Sequence, residues 1–395
     1  MNQREGVVVG AGPAGLAAAA ELGRRGIRAL VLEQSDAVAA SWRGRYDRLR
    51  LNSSRWTSQL PGARYARGTG VFPPRDEVVR YLEDYASSRA LDTRVSTSVE
   101  RIERDGEAWR LRTSTGDVAA RHVIVSTGYN HTPHVPSWPG RETFSGRLLH
   151  AAEYRSPAAF RSADVLVVGP GCSGMEIAYD LATGGAGRVR LAVHTSPNIL
   201  VRSAVGPILG RLVLRLGVAR ADKIMRAVQR RTVGDLTPYG LPIPEEGMAS
   251  RLARLGVAPA IIDKATIQAI KDRRFDVVAA VERLDGAGVE LADGSRIEPD
   301  AVIAATGYRT GLEPMVGHLG VLDERGNPRV RSGEAAPGLR FVGYIPRPGQ
   351  IGRMGIEAAT AADGIAGLSG APRRARSRLG GRAAPVAQPV NQGSF

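Results

Sequence analysis

Two glycine loops constrain this chain more than any other feature. The first, Gly10-Ala-Gly12-Pro-Ala-Gly15, follows the apolar run Val7-Val8-Val9 and opens an alanine-rich helical stretch through Gly23. A second strand signal, Ile27 to Leu32, then ends at Glu33. The later loop, Gly169-Pro-Gly171-Cys-Ser-Gly174, repeats this grammar. It follows Val165–Val168 and precedes a helical stretch from Met175 to Ala182 and a strand from Val189 to Val193. Strand, turn, helix, strand is the βαβ unit of a parallel α/β sheet. In such a loop the first glycine permits the tight turn, the second lets backbone approach a pyrophosphate, and the third lets helix and strand pack closely. The helix start offers free N–H groups and a positive dipole end to phosphates. Glu33 stands where a carboxylate accepts hydrogen bonds from ribose hydroxyls.

The second unit differs in one respect. No Asp or Glu lies between Arg188 and Arg202; the strand ends at His194-Thr195-Ser196. A carboxylate there repels a 2′-phosphate, whereas hydroxyls and a guanidinium bind it. The first site is therefore expected to take FAD and the second NADPH, with Arg202 on the 2′-phosphate. Two dinucleotides with a hydride path between them describe a flavoprotein.

Composition removes several alternatives. The chain has 395 residues, 43% hydrophobic and 24% charged, which excludes wholesale disorder. Its net charge of +15 invites a nucleic-acid reading. However, the only lysines are Lys223, Lys264 and Lys271, an arginine skew that reads as coding bias, and the arginines are interleaved with acids. Five of them, Arg373, Arg374, Arg376, Arg378 and Arg382, fall in a tail without acids, 371–395, expected to be disordered. No nucleic-acid partner is expected. No apolar run is suited to a transmembrane span or a secretory signal, so the expected location is cytoplasmic. The single cysteine, Cys172, excludes a disulfide framework and a CxxC pair, and no metal site is expected.

Further motifs carry a resemblance. Phe144-Ser-Gly146-Arg-Leu-Leu-His150-Ala-Ala-Glu-Tyr154 resembles the FxGxxxHxxx(Y/W) fingerprint of class B flavin-dependent monooxygenases. Ala305-Thr306-Gly307-Tyr308 resembles their ATGY motif. The stretch Ser126 to Gly140, and Leu51-Asn-Ser-Ser54 followed by Leu60-Pro-Gly62, read like segments of flavin-containing monooxygenases. Gly169 to Ala178 is similar to the YUCCA-like branch. The resemblance spans roughly residues 5 to 370. It implies an enzyme that uses NADPH and O2 to oxygenate a small molecule through a flavin C4a-(hydro)peroxide, the protein positioning the flavin and excluding water. N- or S-oxygenation is the leading expectation, with Baeyer–Villiger oxidation or oxidative decarboxylation of a 2-oxo acid as alternatives. A flavin disulfide reductase shares the layout but needs a cysteine pair.

The expected fold is α/β with two Rossmann-like dinucleotide-binding domains, the second inserted in the first. Residues 1–155 and 300–370 are assigned to the FAD domain. Residues 156–299 are assigned to the NADP domain, with a helical segment at 203–250. Leu209, Leu212 and Leu216 recur there at helical spacing, and a helix packed on the NADP domain is the preferred reading over an active-site cover, a dimer contact or a membrane contact. A homodimer is an open possibility.

The resemblance implies catalytic positions at Asn52, matching an asparagine near flavin and nicotinamide that YUCCA enzymes lack, and at His150, through domain coupling and NADP⁺ retention. Expected FAD contacts are Gly10, Gly12, Pro13, Ala14, Gly15, Glu33, Gln34, Trp42, Asn52, Val99, Thr127 and Gly128. Thr306, Gly307, Gln350 and Ile351 are expected to approach the cofactors from later in the chain. Expected NADP contacts are Gly169, Gly171, Cys172, Ser173, Gly174, Glu176, His194, Thr195 and Arg202. Cys172 is assigned no redox role.

Overall fold

The computed structural model describes residues 3–256, 258–346 and 349–367. The run Val7-Val8-Val9 lies in strand Arg4–Val9, whose last four residues are buried. A strand covered on both faces can be continuously apolar, and this one is the centre of a parallel sheet. It pairs with Ala29–Leu32 on one side, Val7 opposite Leu30, and with Val118–Val125 on the other, Val7 opposite Val123. Across the sheet the order is Glu334–Ala336, Leu339–Phe341, Val118–Val125, Arg4–Val9, Ala29–Leu32, Asp92–Arg94. The hairpin of Val99–Asp105 and Ala108–Thr113 attaches antiparallel to Val118–Val125. Helices Pro13–Gly23, Arg75–Ser87 and Gln350–Ile365 form one core with the sheet, around Leu16, Leu82, Tyr85 and Ala358. The opposite face buries Ile102, Trp109, Leu111 and Leu339.

A second sheet is built from Asp276–Val278, Arg188–Ala192, Asp164–Val168, Ala301–Ala304 and Arg147–His150, in that order and all parallel. Helices Cys172–Thr183 and Lys264–Lys271 cover one face. The three-stranded antiparallel set Val281–Asp285, Gly288–Leu291, Arg296–Ile297 covers the other, Leu284, Val289 and Leu291 packing on Leu166 and Val302. The second sheet is an insertion. The chain leaves the first sheet after Val125 and returns to pair Leu339–Phe341 with Val118–Val125, Phe341 opposite Val125.

Three expectations are corrected. Arg147–His150 and Ala301–Ala304, assigned to the FAD side of the domain boundaries, lie in the second sheet, where Ala304 pairs with both Val168 and His150. Asp164–Val168 is buried on both faces and needs a neighbour on each edge, and Ala301–Ala304 is one of them. The sequence pattern of Phe275–Leu284, Gly288–Leu291 and Ser295–Ile297 suggests one small antiparallel set, but within it Asp276–Val278 is a parallel edge strand of the second sheet. In 203–250, Gly206–Leu214 and Val218–Thr232 are helices, the second packed on Ile199–Val201 and Met248–Leu255, but Leu209, Leu212 and Leu216 are about half exposed (53%, 51% and 50%) instead of forming a buried face. The basic tail lies outside the described residues.

Candidate active site

The two glycine loops have the same geometry. Gly10 and Gly169 take positive φ, +100° and +111°, which side-chain-bearing residues rarely adopt. Gly15 and Gly174 have no room for a methyl group: a Cβ on either would lie 1.8 Å from the carbonyl oxygen of Gly10 or Gly169. Gly12 and Gly171 differ from these. Both are extended, both precede a helix without a side-chain cap, and a Cβ on either would meet open space. These are the positions at which the backbone stays bare toward a ligand, with uncapped helix N–H groups behind it. Pro13 and Ala14 are buried in the first turn of their helix, and Ser173 is half-buried in the first turn of its own.

Around the first loop, Glu33 ends its strand with its carboxylate accepting from the N–H of Ala11 at 2.7 Å and of Ser35 at 3.0 Å. The acid is thereby fixed beside the loop. Ala39 N–H donates to the Ala11 carbonyl at 3.0 Å, pinning the segment that carries Trp42, which packs against the core beneath the loop. Gln34 is exposed, and Val99 packs against the opposite face of the sheet. Thr127 shares a 2.7 Å hydrogen bond with the Tyr344 hydroxyl. Gly128 and Gly307 make matching positive-φ turns, +84° and +86°, after the two Thr residues, and the Thr306 hydroxyl donates to the His134 carbonyl. Gln350 begins the helix that packs on Pro13–Gly23, and Ile351 is buried in that core.

His150 commits both ring nitrogens to backbone. It is 2% exposed. Its Nδ1 accepts from the Ala152 N–H at 3.0 Å and its Nε2 donates to the Gly307 carbonyl at 3.0 Å. This pattern defines a neutral imidazole with both nitrogens committed to backbone. Burial holds it below the ordinary histidine value. The ring thus ties the fingerprint strand to the Thr306-Gly307 turn.

Arg202 and Glu176 depart from expectation. Arg202 is not open to a 2′-phosphate. Its guanidinium pairs with the Glu176 carboxylate, the two side chains being 7% and 3% exposed, and its Nε donates to the Asn52 Oδ1 at 3.1 Å. Tyr46 donates to the other Glu176 oxygen at 2.6 Å. Burial pushes the Glu176 carboxyl above its ordinary range, with Arg202 and Tyr46 opposing that shift. A buried carboxylate requires such partners, so Glu176 faces its own protein and not a cofactor. Asn52, from the first domain's loop, is thereby joined to the second domain.

His194 and Thr195 do stand beside the second loop. With Gly171 and Cys172 they line a cavity of about 330 Å³ that Asn198 and Arg251 complete. Cys172 accepts from the Ile261 N–H at 3.2 Å, and burial raises its thiol. Arg251, on helix Met248–Leu255, was not expected in the site. Its Nη1 reaches the Ser196 carbonyl at 3.5 Å, and its Nε is buried with no hydrogen-bond partner among the described residues. No local signal marks it among so many arginines.

Residues 7–212 match the pyridine nucleotide-disulphide oxidoreductase family. The chain is 36% identical over 352 residues to the indole-3-pyruvate monooxygenase YUCCA1 of Oryza sativa subsp. japonica, covering 86% of each. It belongs to the flavin-dependent monooxygenases. The flavin-containing monooxygenase of Stenotrophomonas maltophilia superposes with TM-score 0.72 at 24% identity, over 94% of this chain and 100% of that one. The bacillithiol disulfide reductase of Bacillus cereus superposes with TM-score 0.67 at 20% identity, over 93% of this chain and 100% of that one. Architecture alone therefore does not separate oxygenase from reductase; the sequence relatives do. This flavin monooxygenase is an oxidoreductase with FAD and NADPH as cofactors, and the loops fit them: two bare glycines before two uncapped helices, with the Glu33 carboxylate bonded to the backbone of the first loop. Among the described residues no helix is long and apolar enough to cross a membrane.

Proposed function

We propose that this flavin monooxygenase acts on a 2-oxo acid of the indole-3-pyruvate class. The observation that carries this reading is its likeness to indole-3-pyruvate monooxygenases along 86% of both chains. The balanced reaction is 2-oxo acid + O2 + NADPH + H⁺ giving the carboxylic acid one carbon shorter, CO2, H2O and NADP⁺. Held at the first loop, FAD supplies the oxygen-activating chemistry with electrons from NADPH.

The chain's own residues bind, orient and shield. Gly12 and the N–H groups opening helix Pro13–Gly23 hold the FAD pyrophosphate, and Glu33 its ribose. Gly171 and helix Cys172–Thr183 do the same for NADPH. Arg251, with its unpartnered Nε, takes the 2′-phosphate that Arg202 cannot reach, beside the His194 and Thr195 side chains. Asn52 is a positioning residue whose carboxamide is oriented by Arg202. With Oδ1 engaged, its NH2 is left to donate, and it does not titrate.

Asn52 favours a second reading, N- or S-oxygenation of an amine or sulfide, because it is the residue shared with flavin-containing monooxygenases. One screen tests both. NADPH consumption is followed with indole-3-pyruvate, phenylpyruvate, a tertiary amine, a thioether and a cyclic ketone, with product masses. Coupled turnover of the 2-oxo acids to the shortened acids is the expected result. Coupling only to amine or thioether establishes the second reading, and coupling only to the ketone overturns both.

A further inference from the structure

Eight of the thirteen large apolar side chains exposed among the described residues fall between 205 and 228. Val205, Ile208, Leu209, Leu212 and Leu216 belong to the first helix and its ends, and Ile208, Leu209 and Leu212 follow one another along a single helical face. Val218, Ile224 and Val228 continue on the second helix, Ile224 and Val228 one turn apart. Scattered apolar residues on a surface need no explanation, but a cluster this concentrated marks a contact surface.

The charge around it is of one sign. Arg211, Arg215, Arg220, Lys223, Arg230 and Arg231 are all exposed along the same two helices. The only acid in 203–232 is Asp222, and its carboxylate is engaged at the start of the next helix, accepting from the Ala249 N–H at 2.6 Å. A second copy of the same face would set arginines against arginines. An anionic lipid surface satisfies both halves, taking the leucines into the acyl boundary and the guanidiniums at the headgroups. The helices, 9 and 15 residues long, are suited to lying in that boundary and not to crossing it.

We propose that helices Gly206–Leu214 and Val218–Thr232 dock this enzyme peripherally on an anionic membrane surface. The patch begins just after Arg202, whose guanidinium holds Asn52, so the docked face adjoins the candidate active site.

Full-length, FAD-loaded protein is sedimented with vesicles of phosphatidylserine and phosphatidylcholine, and with vesicles of phosphatidylcholine alone. The expected result is co-sedimentation with the anionic vesicles, weakened by salt and at least about tenfold stronger than with neutral ones. Leu209→Gln/Leu212→Gln should lose about tenfold in vesicle affinity, with unchanged melting temperature and flavin spectrum. Arg211→Gln/Arg215→Gln, on exposed positions, should weaken it independently. Three results overturn the proposal. One is no binding to anionic vesicles. Another is undiminished binding by both variants but loss on truncation after residue 367, which assigns the binding to the basic tail. The third is a dimer, seen by sedimentation velocity, that the leucine variant dissolves without any vesicle binding.

Discussion

Arg251 and His150 show how much a single side chain's surroundings decide. Arg251 brings a guanidinium to the cavity beside Gly171, His194 and Thr195, and its Nε is buried without a partner among the described residues. A charge-assisted hydrogen bond is worth about 1.5–3 kcal/mol, roughly tenfold to a hundredfold in affinity. Arg251→Ala should weaken NADP⁺ binding by that factor, read by titration calorimetry, and leave NAD⁺ affinity within about twofold. Equal losses for both nucleotides would remove Arg251 from the 2′-phosphate. His150 bears on pH. Burial holds its imidazole below the ordinary 6.5, so near that pH the unfolded chain takes up a proton that the folded chain refuses. Its contribution to stability is complete above 6.5 and is lost as pH falls. His122 and His131, also depressed by burial, act in the same direction. Denaturant midpoints should fall from about pH 7 to about pH 5.5, and less steeply in His150→Gln. An identical slope in the variant would show that His150 is not protonated on unfolding in this range.

The two loops make a matched test at the level of the element. A Cβ at Gly15 or Gly174 collides with backbone, so Gly15→Ala and Gly174→Ala should lower the melting temperature as well as remove one cofactor each. A Cβ at Gly12 or Gly171 meets no protein atom, so Gly12→Ala should keep the apoprotein's melting temperature and lose FAD, and Gly171→Ala should do the same for NADPH. A fall in apoprotein stability equal to that of Gly15→Ala would contradict this division. These loops were legible in the sequence because Gly10, Gly15, Gly169 and Gly174 answer local steric needs, and Gly12 and Gly171 fall between them at the fixed spacing of a dinucleotide loop. Other elements were not. Arg147–His150 and Ala301–Ala304 look like any short apolar strands, and which sheet recruits them depends on residues far away in the chain. The 3.6-residue period of Leu209, Leu212 and Leu216 reports a face but not what lies opposite it. Arg202 is near the glycine-loop strand in sequence, yet it is consumed by Glu176. Arg251 is distant in sequence and reaches the cavity through the placement of a helix.

In the whole molecule, Arg202 clasps the two domains, joining Glu176 of the second to Asn52 of the first. Removing one partner of a buried ion pair costs about 3–5 kcal/mol because the other charge is left stranded. Arg202→Ala should therefore lower stability by about that amount. It should also raise hydrogen peroxide released per NADPH consumed, since Asn52 loses its orienting bond. Stability lost with unchanged peroxide release would confine Arg202 to packing. The insertion of the second sheet has its own consequence. Strand Val118–Val125 is made early, but its edge partner Leu339–Phe341 follows the entire inserted unit. During synthesis the inserted unit can finish folding while the outer sheet still lacks an edge strand and the helix Gln350–Ile365 that seals its core. The growing polypeptide is therefore able to complete its nicotinamide-nucleotide half on the ribosome before its flavin half can close.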